Sequence, residues 1–164
     1  PLPTERYYEE EGRAELTPRD FGILMHRVFE NAATTDEIYT AIEAMTQDGV
    51  LDEKEAPRLR ELVEKALADP VTAEWFGGRW QVVRNENEII LPGSGTTRRP
   101  DRVMTDGERA VVVDYKFGDR ETARHRKQIR EYLRLLRQMG YTRTEGYLWY
   151  VRLGRTERVE EKED

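Results

Sequence analysis

The chain has 164 residues, a formal net charge of −6, 37% charged residues and no cysteine. The length supports one domain with a full core, and the missing thiols exclude disulfide staples, zinc-thiolate centres, iron–sulfur clusters and a cysteine nucleophile. No apolar run is long enough to cross a bilayer and no secretory signal is visible, so the sequence reads as soluble and cytoplasmic; its acidic balance argues against nucleic-acid binding by bulk charge alone while leaving room for a local basic surface.

Pro1 stands where an initiator methionine would, the mark of a piece of a longer protein or of a processed start, and residues 1–15 read as a polar connecting arm. Thr17-Pro18-Arg19-Asp20 is a helix start, with Thr17 as N-cap, Pro18 at the first helical position and Asp20 able to reach back to the cap. The helix turns Phe21, Leu24, Met25, Val28 and Phe29 inward and aligns Gly22, His26 and Glu30 along one face. Thr34-Thr35-Asp36 opens a second helix that runs to about Thr46 and stops at Gln47-Asp48-Gly49. A third is predicted over 52–68, with Leu59, Leu62, Val63 and Leu67 as its stripe and Asp69-Pro70 as its stop. The surplus acidic side chains of both read as a solvated face.

From Trp75 the pattern turns strand-like, over 80–84 and 88–91, with Pro92-Gly93-Ser94-Gly95 as a hairpin loop. No helix start follows those glycines, so they are not a phosphate cradle. Trp75, Trp80 and Trp149 read as core. Arg98, Arg99 and Arg102 bracket Asp101. Val111-Val112-Val113, bounded by Asp106-Gly107 and Phe117-Gly118, read as a strand buried on both faces. A helix over 121–139, closed by Gly140, places His125, Gln128, Ile129, Tyr132, Leu133 and Leu136 on one side and Arg120, Arg124, Lys127, Arg130, Arg134 and Arg137 on the other. A last clear strand covers 145–151, a short one over 156–159 pairs beside it, and 160–164 is an acidic tail.

Charges at the end of a buried strand demand an explanation. Asp114 and Lys116 are two residues apart and so share a face, and a hairpin at Asp106-Gly107 folds Asp101 back beside them. Two carboxylates and one ammonium leave an anionic cluster whose simplest complement is a divalent cation.

In order, Gly22-xxx-His26-xxx-Glu30, Glu86, Asp101 within Arg-Pro-Asp-Arg, Asp114-Tyr115-Lys116 and Gln128-xxx-Tyr132 resemble the nuclease domain of RecB- and AddA-type helicase-nucleases, within the PD-(D/E)XK superfamily. The resemblance covers 16–159 and implies one α/β domain: a helical part over 16–70 and, over 75–159, a restriction-endonuclease-like mixed sheet flanked by helices. It implies DNA cleavage with magnesium or manganese. His26, Asp101 and Asp114 would then be metal ligands, with the backbone carbonyl of Tyr115 completing the site and Glu86, in competition with Glu88, as a further contributor. Lys116 would orient or deprotonate the attacking water, and Gln128 and Tyr132 would border the site. Arg98, Arg99, Arg102, Arg124, Lys127 and Arg134 would hold flanking phosphates. Single-stranded DNA or DNA ends are the implied substrate. No phosphate-loop motif is present, so an implied helicase motor would lie elsewhere in a longer chain or in a partner subunit. Two other readings share these motifs: a catalytically silent DNA-binding or scaffolding module, and a standalone exonuclease of phage or CRISPR type.

Overall fold

The computed structural model describes residues 18–86, 99–118 and 123–161. The chain divides into two units, Pro1–Phe76 and Gly77–Asp164.

The first unit is helical: α1 (Pro18–Phe29), α2 (Thr35–Gln47), α3 (Glu55–Ala66) and α4 (Pro70–Trp75). The apolar positions predicted for α1 are buried, from Phe21 to Phe29, each worth about 1.5–3 kcal/mol when fully withdrawn from water. Phe29 meets Phe76 with ring centroids 5.5 Å apart. Thr34 caps α2 by accepting from the Glu37 amide at 3.3 Å, and Gly49, at φ +75°, supplies the left-handed residue that ends it.

Two boundaries differ from the sequence reading. The helix expected from 52 begins at Glu55, because the Asp52 carboxylate accepts from the amides of Lys54 and Glu55 at 2.8 and 2.7 Å and makes 52–54 a capping turn. Asp69-Pro70, read as a stop, is also a start. Asp69 accepts from the Val71 amide at 2.8 Å and Pro70 occupies the first turn of α4.

The second unit holds β1 (Val82–Asn85), β2 (Arg102–Asp106), β3 (Arg109–Lys116), α5 (Ala123–Gln138), β4 (Arg143–Tyr150) and β5 (Arg155–Val159). The five strands form one mixed sheet in the order β1-β2-β3-β4-β5, with only the β3–β4 pair parallel. This is the α/β architecture expected: a mixed sheet with flanking helices, of the restriction-endonuclease-like kind. Asp106 pairs with Arg109, leaving a two-residue turn in which Gly107 takes φ +59°, as the first position of a type II′ hairpin requires. The parallel β3–β4 pair needs a crossover, and α5 supplies it.

Ile129, Tyr132, Leu133 and Leu136 of α5 pack onto Val103, Ala110, Val112, Leu148, Tyr150 and Val159, which fixes one face of the sheet as the α5 face. The helix lies close because β4 offers Gly146, where an added Cβ would overlap Ile129 Cγ2. Strand β5, expected over 156–159, pairs antiparallel with β4 from Arg155 onward. The strand expected over 88–91 lies outside the described residues. Trp75 and Trp149 are buried as expected, but Trp80 is half-buried and carries Arg109 over its ring at 4.8 Å. Among the described residues, no helix is long and apolar enough to cross a membrane.

Candidate active site

Strand register builds the site. Arg102 pairs with Val113, so one step further along sets Asp101 opposite Asp114; Asn85 pairs with Arg102, so one step beyond β1 sets Glu86 opposite Asp101. Residues in one row across a sheet share a face, so Glu86, Asp101 and Asp114 line up on the α5 face, with Lys116 two residues on from Asp114. A carboxylate oxygen of Glu86 and one of Asp101 lie within 4.8 Å of each other.

Tyr115 locks this end of β3. Its amide donates to Asp101 Oδ2 at 2.6 Å, and its ring points to the opposite face, where it meets Trp149 edge-on at 5.6 Å. Burial pushes the Tyr115 hydroxyl well above the ordinary phenol range, against the nearby Arg102 guanidinium, which pulls it down. With the ring pinned on one side of the strand, Asp114 and Lys116 are committed to the other.

Lys116 Nζ donates to Asp114 Oδ2 at 2.8 Å. Asp101, Asp114 and Lys116 are 8%, 4% and 9% exposed, so three charged groups sit almost out of water. Burial foremost, then the charge of Asp101 and a hydrogen bond between the two carboxyl groups, push Asp114 up to about 7, with Lys116 pulling it back. Two carboxyl groups beside a single ammonium thus hold a proton for want of a second positive charge. Oxygen donors crowded in this way fit a divalent cation, which would take that proton's place.

Of the other predicted residues, Gln128 is half-buried on α5, and its Oε1 is enclosed without a hydrogen-bond partner among the described residues. Tyr132 lies in the core between α5 and the sheet. His26 is half-buried on α1, in the first unit. Arg99, Arg124, Lys127 and Arg134 are exposed, while Arg98 lies outside the described residues. Arg102 corrects the sequence reading: expected at the DNA surface, it is 0% exposed and donates to Asn85 Oδ1 at 3.4 Å, on the face away from α5. Its place in β2 turns it inward, and it offers no phosphate a contact.

The family profile of the PD-(D/E)XK nuclease superfamily matches residues 4–164. The chain belongs to that superfamily. No curated protein matches it. Membership in the PD-(D/E)XK superfamily indicates a nuclease, a hydrolase of a kind that works with divalent metal ions, and among the described residues the buried Asp101–Asp114–Lys116 cluster has chemistry that suits that work. Three charged residues not singled out by their sequence lie at the same end of the sheet as this cluster: Arg155 in the row of Lys116, Glu157 in the row of Asp114, and Arg126, which donates to Glu157. The two-residue spacing of Arg155 and Glu157, which puts both on one face of a strand, was the available signal.

Proposed function

We propose that the chain is a DNA-cleaving nuclease module of the RecB/AddA type, using magnesium or manganese and serving a recombination or repair helicase, with single-stranded DNA or DNA ends as substrate. The observation that carries the catalytic part is the convergence of Asp101, Asp114 and Lys116, nearly buried, at one end of β2 and β3. Hard carboxylate oxygens favour magnesium or manganese over softer ions. Asp101 and Asp114 would hold the ion, with Glu86 beside them and the Tyr115 carbonyl as a further ligand. A ligand role for His26 rests on the sequence resemblance. The bound ion would supply charge neutralisation for the phosphate and an acidified water. Lys116, held by Asp114, would orient the attacking water, and its ammonium would steady the charge that grows on the nonbridging oxygens. Gln128 and Tyr132 brace the lysine and the substrate strand. The helicase association rests on the resemblance to RecB- and AddA-type domains alone, and neighbouring coding sequence tests it directly.

The deciding experiment for catalysis is cleavage of labelled single- and double-stranded DNA with magnesium, with manganese and with chelator, alongside the Lys116→Ala protein. Metal-dependent cutting by the wild type, lost by about 10²-fold or more in Lys116→Ala while calorimetric metal affinity persists, is the expected result. Metal binding without cutting would favour a scaffolding module. Cutting that survives Lys116→Ala would move the catalytic centre elsewhere.

A further inference from the structure

Strands β4 and β5 are joined at the end of the sheet that carries Lys116. Lys116 pairs with Tyr150 and Tyr150 with Arg155, so residues 151–154 project past the row of the lysine, one strand spacing or roughly 5 Å to its side. The Val151 amide donates to the Lys116 carbonyl at 3.0 Å, which ties the start of this connection to β3. The Gly154 amide then donates back to the Val151 carbonyl at 3.2 Å, closing a β-turn, and Gly154 takes φ +61° as the chain enters β5. Arg152 and Leu153 are left as the two corners.

Leucine is an odd residue for a corner. Glycine, proline, asparagine, aspartate and serine dominate turns because they favour the dihedrals or bond the local backbone, and leucine does neither. It does not serve the core either, since Leu153 is 49% exposed while Val151 is buried. One exposed leucine is ordinary in itself; its place is what distinguishes it. Among the described residues of the second unit, the large apolar side chains left exposed are Val82, Met139 and Leu153. Val82 pairs with Thr105 near the β2–β3 turn, and Met139 follows α5 where the chain returns to the start of β4, both at the opposite end of the sheet from Asp114. Leu153 stands at the acidic end.

Phe117 adds a second apolar residue there. It follows Lys116 directly, and one step beyond the Lys116–Tyr150 pair sets it beside Val151. It is half-buried, and the exposed Arg152 and Arg155 flank Leu153 along the turn. Apolar side chains set among cations, next to a lysine and two carboxylates, suit a ligand that is anionic along its backbone and apolar elsewhere.

We propose that Leu153 and Phe117 form an apolar lip that takes a nucleobase of the substrate strand, beside the phosphate that Lys116 faces. The inference rests on the nuclease reading above for its substrate. The apolar surface of a nucleic acid is the faces of its bases, and unpaired bases pack on aromatic and apolar side chains with little regard to sequence. The turn's two backbone hydrogen bonds hold the lip within reach of the nucleotide next to the one being cut. It selects single strands, because a duplex keeps its base faces stacked inside.

The test is binding of two labelled oligonucleotides of equal length and charge to the full 164-residue chain in chelator, one of thymidine nucleotides and one a backbone without bases, followed by steady-state cleavage of the first with magnesium or manganese. The wild type should prefer the strand with bases by about fivefold or more. Leu153→Ser should lose most of that preference, Leu153→Phe should enlarge it, and neither should move the log–log salt slope, since no phosphate contact is touched. Phe117→Leu should fall between wild type and Leu153→Ser. In cleavage, Leu153→Ser should raise KM far more than it lowers kcat. Equal affinity of the wild type for both strands, or a preference that Leu153→Ser retains, would overturn the lip, as would a Leu153→Ser protein weakened equally on both strands. Should Phe117→Leu fail to fold by circular dichroism, the Leu153 variants decide alone, since that side chain is exposed. A preference lost in Leu153→Ser by a chain that cuts no DNA with either metal would keep the lip and sink the nuclease reading; cutting with a preference unmoved by Leu153→Ser would do the reverse.

Discussion

Asp114 shows how far a single residue can be at odds with its own fold. Burial and the Asp101 carboxylate push it up to about 7 from an ordinary 3.8, so the metal-free chain keeps a proton there that the unfolded chain releases. The sign follows from proton counting. Below the unfolded value both states are protonated and nothing is lost; as pH rises from about 4 to 7 the unfolded state ionises first and folding grows less favourable, by up to about 4 kcal/mol at full effect. In chelator, urea unfolding should therefore show lower stability at pH 8 than at pH 5. Asp114→Asn should erase most of that difference and be the more stable protein at pH 8, since Asp101 and Lys116 then balance in charge. An Asp114→Asn protein weakened at both pH values would mark Asp114 as a structural partner of Lys116. The convergence of Asp101, Asp114 and Lys116 was legible in the sequence because a hairpin signal and a two-residue spacing suffice to place it. The burial of Arg102 was not, since the same Arg-Pro-Asp-Arg string reads equally well with either arginine outward, and only the register of β2 against β1 and β3 turns it in.

Among the elements, α5 does most to position the site, because it covers the sheet face on which the acids stand. Its apolar side was legible from spacing, and Ile129, Tyr132, Leu133 and Leu136 are buried as that spacing requires. The seat that receives it was not. Gly146 sits within a strand-like run where glycine ordinarily signals a weak point, and here it marks the closest approach of helix to sheet. Gly146→Ala should cost about 1–3 kcal/mol as Ile129 and Leu133 are forced aside, read as a lower urea midpoint with an unchanged slope. A neutral outcome would mean that the α5–β4 contact is looser than its geometry implies. Short α4 escaped notice for a related reason: Asp-Pro ends one helix and starts the next with the same two residues, and six residues carry too little periodicity to separate the two meanings.

Over the whole molecule, a net charge of −6 would repel nucleic acid, so binding has to come from where the cations are concentrated. Arg124, Lys127 and Arg134 lie exposed along α5. Reversing all three to glutamate should weaken binding of single-stranded DNA and cut the salt slope by about 2 or more, as measured by anisotropy across a salt series. An unmoved slope would return the stripe to plain solvated surface. The fold class and family were legible because five motifs in one order constrain an architecture more than any one of them does. The place of Arg155 and Glu157 in the rows of Lys116 and Asp114 was hidden, because it follows only once β4 is known to separate β5 from β3.

The two-residue turn at Gly107-Glu108 lies at the far end of its strands from Asp101 and Asp114, five residues or about 17 Å away along β3. It nevertheless acts as the gauge that decides which way Asp101 faces. An inserted residue there that propagates along the hairpin turns Asp101 to the opposite side while leaving the ladder of hydrogen bonds nearly complete. Lesions in that turn should therefore mimic loss of an active-site carboxylate in a protein that still folds, so that a screen for inactive but soluble variants would collect hits at both ends of the same hairpin.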